Sequence, residues 1–172
     1  MKTFTTRILF IGLLFTVLGI PAFTQGFPWQ IFKPRSLKEV TDLTKKAFRP
    51  DDTAYFATSL LESKAEVTFT GKSRPISGPN RGFLSDWVGF FGRPKEYAAA
   101  YEREFLYKEG DDEYWLPTQE PVTKYFDKEL KPGDKMTIYL ISIGAHGVGK
   151  DINCVLLVEE YQVIQPASSK TT

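Results

Sequence analysis

The sequence predicts an α+β fold built on a small antiparallel β-barrel or strongly bent sheet, preceded by N-terminal helices. Three observations lead there. First, Lys135–Ile143 and Ile152–Val158 are β-rich apolar runs flanking a glycine-rich stretch at Gly144–Asp151, the pattern of a long hairpin. Second, Met136, Ile138 and Leu140 alternate with Tyr139, Ile141 and Ile143, so both parities are apolar and both faces of the strand are expected to be covered. Third, from residue 64 the elements run strand, inserted helix, strand, strand, helix, strand, strand. Without the insertion this is β-β-β-α-β-β, the order of a five-stranded OB-type barrel. An SH3-like barrel, or an open antiparallel sheet with helices on one face, would use the same elements.

Taken in order, the chain opens with Lys2 and Arg7 beside the apolar run Ile8–Ile20, which Pro21 breaks; no acidic residue falls in the first 24. This is the pattern of a secretory signal peptide at 1–24, with Ala22 and Thr24 as the small residues before a cut at Gln25. The run is shorter than the ~20 apolar residues a membrane span needs. Once the segment is cleaved, no stable span is expected. Residues 25–35 carry Phe27, Trp29 and Phe32 between Pro28 and Pro34, and read as an extended arm that docks its aromatics on the domain.

A single domain is expected at 36–164. Ser36 and Glu39 form a capping box, and Leu37, Val40, Leu43 and Ala47 recur at helical spacing, which predicts a helix at 37–48. Asp51 or Asp52 is a candidate cap for a second helix reaching Leu61, with Tyr55, Phe56 and Leu60 on one side. Residues 65–71 alternate as a half-exposed strand. The turn chemistry at 74–80 leads into a helix at 82–91, with Asn80 as its cap. Residues 103–108 and 113–116 form a hairpin around Gly110. Pro121 starts a helix that Pro132 and Gly133 stop, and the 135–158 hairpin follows. The polar tail 165–172 is expected to fray.

Composition narrows the function. Loss of Lys2 and Arg7 from 22 basic residues leaves 20 against 21 acidic ones, a net charge of −1. Such a balance gives no general pull toward nucleic acid or anionic membrane. Gly144–Lys150 is one residue from a phosphate-binding loop, but Asp151 stands where a hydroxyl is needed. A strand follows it where the motif requires a helix, so nucleotide is not expected. His146 is the only histidine and Cys154 the only cysteine. A multi-histidine metal site is therefore impossible, and Cys154 reads as a small core residue. Glu102/Glu104, Asp111/Asp112/Glu113 and Glu159/Glu160 read as solvated surface rather than as catalytic carboxylate pairs. No cofactor and no metal is expected.

The reading this favours is an exported, periplasmic or extracellular, non-enzymatic binding or assembly module. Its partner would be an extended polymer or an envelope protein. An OB-type barrel binds along its second and third strands, beside the loop between strands four and five. That makes Tyr107, Trp115, His146 and Lys150 the candidate contacts. The alternative is a small exported hydrolase using His146 or a carboxylate pair.

Overall fold

The computed structural model describes residues 26–46, 55–57, 60–148 and 151–164. A 3-10 turn at Trp29–Ile31 precedes β1 (Lys33–Pro34), α1 (Leu37–Lys45), β2 (Tyr55–Ala57) and β3 (Leu61–Pro75). Then come α2 (Gly78–Phe90), α3 (Lys95–Ala99), β4 (Arg103–Glu109) and β5 (Asp112–Thr118). The chain continues through α4 (Glu120–Thr123), α5 (Phe126–Glu129), β6 (Lys135–Val148) and β7 (Asp151–Val163). The fold is mixed α+β. Among the described residues no helix is long and apolar enough to cross a membrane.

One sheet holds the strands in the order β1-β3-β4-β5-β7-β6-β2, and β3 pairs with β6 as well. Pairing therefore runs in a ring through β3, β4, β5, β7 and back through β6. The 15 residues of β3 make this possible. Leu61–Thr68 pairs with β6, while Thr68–Pro75 pairs with β4, so one strand serves two neighbours. A register shift between Phe69 and Ser73 bends it, with Gly71 at φ 74°, a conformation that glycine takes without strain. The weakest link is β5 with β7, which run parallel and pair only at Thr118 and Val158.

Two apolar cores follow from strands covered on both faces. Val67, Tyr107, Leu116, Ile138, Leu140 and Val158 point to one side, where Leu37 and Val40 of α1 and Val122 and Phe126 of α4 and α5 join them. On the other side, Ile143, Val155 and Leu157 meet Phe83, Leu84, Trp87 and Val88 of α2. The arm does dock: Phe27, Trp29 and Phe32 gather around Tyr139, with ring centroids 5.7, 4.6 and 5.5 Å away.

Helix α1 keeps its expected cap, with Ser36 Oγ accepting from Glu39 N at 3.0 Å. The carboxylate of Glu109 accepts from Leu37 N at 2.9 Å, so a second acceptor, this one an anion, meets the open N–H groups of the first turn. Near its other end Thr44 is fully buried. Its Oγ1 donates to Val40 O at 2.8 Å and meets Ser142 Oγ of β6 at 2.7 Å.

Several expectations need correction. The second helix expected up to Leu61 is not formed at Tyr55–Ala57, which is strand β2 paired with Ala145–Gly147, and Leu61 opens β3. The remainder of that stretch, 51–54 and 58–59, lies outside the described residues, as do residues 1–24, expected to be a signal peptide, residues 47–48 and residues 165–172, expected to fray. Ser77, not Asn80, caps α2; its side chain accepts from Asn80 N, and Pro79 sits in the first turn. The helix begins at Gly78, which places Asn80 inside it. The expected helix after Pro121 is two short pieces, α4 and α5. The glycine-rich stretch is strand as far as Val148, and Val148 pairs with Asp151, while 149–150 lie outside the described residues. Gly147 is needed because a Cβ there would overlap the carbonyl of Asp151.

The Thr44–Ser142 contact yields a stability test. Thr44→Val should cost about 1–3 kcal/mol, because it leaves a buried Ser142 hydroxyl without its partner. Adding Ser142→Ala should recover part of that loss. Urea midpoints of the two single variants and the double variant check it; strictly additive losses would contradict the pairing.

Candidate functional site

Beyond Thr118 and Val158 the strands β5 and β7 part, and a groove of about 340 Å³ lies between them. Glu113–Leu116 form one wall, and Ile152–Cys154 with Leu156 form the other. Thr41 and Lys45 of α1 stand at one end, with Arg74, Ser77 and Asn80 beside it.

A buried carboxylate organises that second group. Glu104 sits opposite Arg74 in the β3–β4 register and has 0% exposure. Arg74 Nε donates to its Oε2 at 2.7 Å. Asn80 Nδ2 donates to Oε1 at 2.7 Å, and Ser77 N donates to the same oxygen at 3.4 Å. A buried acidic side chain is tolerated only when paired and hydrogen-bonded in this way.

A carboxylate only accepts, so the amide nitrogen of Asn80 must face Glu104, and Asn80 Oδ1 must face away. Oδ1 meets Asn153 Nδ2 at 2.5 Å and His146 Nε2 at 2.9 Å. It has no proton to give, so His146 Nε2 carries the proton and donates it. The 3.1 Å approach of Asn153 Nδ2 to Nε2 is then a contact between two donors that share one acceptor. The Nδ1 atom of His146 is left with a lone pair. Burial holds the His146 pKa below its ordinary value, which keeps the ring neutral at pH 7. The ring lies against Phe83, with centroids 5.3 Å apart.

The guanidinium of Arg74 also covers Trp115, its carbon 4.3 Å from the ring centroid. Arg74 thus links the buried carboxylate to an aromatic wall of the groove. The resulting surface combines an aromatic ring, two amides and a cation already neutralised by Glu104.

Of the four expected contacts, Trp115 lines the groove and is half-buried. His146 stands one hydrogen bond behind the lining residues Asn80 and Asn153, on a strand and not on a loop. Tyr107 is fully buried, with its hydroxyl 3.0 Å from Thr118 Oγ1, and is a core residue. Lys150 lies outside the described residues. Cys154 is half-buried at the margin of the core, its Sγ 3.7 Å from Thr41 O, and burial pushes its thiol up to about 11. In the register it faces Ala145, while His146 faces Asn153, so cysteine and histidine project from opposite sides of the sheet.

Of the carboxylates expected at the surface, one is fully buried and another is half-buried and held by two phenols. Glu104 is buried, and Glu159 Oε1 accepts from Tyr97 and Tyr101 at 2.6 and 2.5 Å. Desolvation, followed by the charge of Glu159, raises the pKa of both phenols. Arg74 and Asn153 were not among the sequence-based candidates, Asn80 was read only as a helix cap and Glu104 only as a surface carboxylate, and no local pattern marks the four as a group. Among the described residues no group of three His, Cys, Asp or Glu side chains is placed to hold a metal. Comparison with family models, curated proteins and solved structures gives no match.

The Arg74–Glu104 pair should respond asymmetrically to substitution. Arg74 is about half exposed while Glu104 has no access to water, so only the cation can hydrate when left alone. Arg74→Ala strands a buried charge and should cost about 3–5 kcal/mol. Glu104→Gln removes the buried charge, leaves Arg74 to hydrate and a buried amide imperfectly paired, and should cost about 1–3 kcal/mol. Equilibrium unfolding of both variants measures the order, and the reverse order would contradict this pairing.

Proposed function

We propose that the protein is an exported, non-enzymatic binding or assembly module of OB type, holding an extended polymer in the groove beside Trp115. The OB reading is supported by the ring of strands. Numbered along the chain from β3, its members follow one another as first, second, third, fifth and fourth, and the fourth returns to the first. A helical segment follows the third strand, and α2 and α3 form an insertion after the first. In OB-type barrels ligands lie on the second and third strands, between the loops that follow strands one and four. Here the corresponding parts are β4 and β5, the 76–102 insertion and the connection from β6 to β7. The groove touches β5, the start of the insertion and the first residues of β7.

The single observation that carries the proposal is the convergence of Trp115, Arg74, Asn80 and Asn153 on one groove. Calorimetric titration with a panel of soluble glycans and linear peptides tests it. At least one probe should bind, and Trp115→Ala should weaken that probe tenfold or more, a loss of about 1.4 kcal/mol, while the variant remains folded at the titration temperature by its unfolding curve. A panel that gives no heat, or a Trp115→Ala variant that binds as tightly as the parent, would count against it.

The hydrolase alternative draws on one feature, the lone pair left on His146 Nδ1. Its support is weaker, because the polar partners of His146 are two amides and not a carboxylate that would raise its basicity. Export rests on the 1–24 pattern. Intact-mass measurement of protein recovered from the periplasm or medium should give a chain beginning near Gln25, and a mass retaining residues 1–24 would refute it.

A further inference from the structure

We infer that the occupant of the groove is an extended polypeptide, added as a strand between β5 and β7. The inference rests on the reading of this groove as the binding site and names what fills it.

The argument starts from the backbone. The hairpin of β4 and β5 closes on the two residues Gly110 and Asp111, with Glu109 opposite Asp112. Antiparallel ladders alternate between hydrogen-bonded and non-bonded pairs, so successive residues of β5 direct their peptide groups to opposite sides. Gln119 N donates to Val158 O at 3.3 Å, which fixes the odd-numbered residues of this strand as those facing β7. Glu113 and Trp115 therefore offer N–H and C=O toward the groove. Pro117, on the same parity, offers only C=O, and a proline is tolerated where its missing N–H belongs to an unpaired edge.

The opposite rim has the same character. Val158 accepts from Gln119, so Leu156, Cys154 and Ile152 share its parity and turn their peptide groups to β5. Pairing between these two strands is confined to Thr118 and Val158. Two rows of main-chain donors and acceptors thus face each other across the groove, each with a two-residue period.

The side chains agree. Residues of both parities line the groove on both strands, so it lies between strand edges and not upon one face of the sheet. On the core side stand Tyr114, Leu116, Cys154 and Leu156. On the other side stand Trp115, Arg74, Asn80 and Asn153. A strand seated here would direct alternate side chains to an apolar wall and a polar one. A polypeptide main chain matches the repeat of both rims at once, and a glycan does not.

The test uses the full chain as selection target for a phage-displayed library of random linear dodecapeptides. The best sequence is then synthesised with and without single main-chain N-methyl groups. The selected peptides should alternate apolar and polar residues. N-methylation at any of the four central positions should weaken binding at least tenfold, since a strand between two rims uses every N–H. In the free protein the amides of Glu113, Trp115, Ile152, Cys154 and Leu156 should exchange with solvent quickly for strand residues, and peptide should slow them at least a hundredfold. Tolerance of N-methylation at alternate positions, or no change at these amides, overturns the insertion. Main-chain recognition is tolerant of sequence, so a library without binders overturns it as well. If glycans bind in the calorimetric panel while peptides do not, strand insertion fails and the groove stands; if neither binds, both fail.

Discussion

Glu104 has no exposed surface, and three donors meet its two oxygens: a guanidinium, a side-chain amide and a backbone N–H. A carboxylate removed from water costs several kcal/mol unless such partners are held in place. They come from three separate elements: Arg74 from the end of β3, Ser77 from the cap of α2 and Asn80 from inside that helix. The carboxylate therefore fixes where α2 begins against the outer side of β4. Because it accepts only, it also decides which way the Asn80 amide points. That orientation passes to Asn153 and His146 through one shared oxygen. The polar end of the groove is organised outward from a group that no ligand can reach.

A second constraint is the length of β3. A strand of ordinary length could pair with β6 or β4 along its whole extent but could not complete the ring. At 15 residues, and bent at Gly71, it meets β6 with its first half and β4 with its second. The ring then has one weak link, between β5 and β7, and the groove lies at that link. Edge strands are normally blunted or covered. Here α1 and the α2 cap flank the opening, and Lys45 and Arg74 stand beside it.

Much of this was legible in the sequence where short-range rules decide. The Ser36–Glu39 cap, the hairpin around Gly110 and the two-faced apolar runs of β6 and β7 all depend on neighbours within a few residues. The failures at β2 and at the glycine-rich stretch share one cause, pairing with residues far along the chain. Tyr55, Phe56 and Leu60 have helical spacing, yet 55–57 is a strand because β6 extends far enough to pair with it. Gly144 and Gly147 resemble a loop, yet Gly144, at φ 134°, sits at a register shift inside β6. Gly147 is a strand residue that lacks room for a Cβ. For α2, Ser77 and Asn80 both qualify as caps, and Pro79 in the first turn favours the earlier one. The site was the least legible part. Asn80 reaches 24 residues along the chain to Glu104 and 73 to Asn153, distances over which no sequence period runs. Trp115 and His146 could be chosen from residue type alone, whereas the amides and the carboxylate that position them could not.

The central claim is that Glu104, acting through Asn80, sets the protonation of His146. Since His146 is the only histidine in the chain, long-range proton–nitrogen NMR spectra report on it without assignment ambiguity. At pH 7.5 the account predicts a neutral ring with the proton on Nε2 and a bare Nδ1, and a loss of that preference in Glu104→Gln. A proton on Nδ1 in the parent protein, or an unchanged tautomer in the variant, would contradict it.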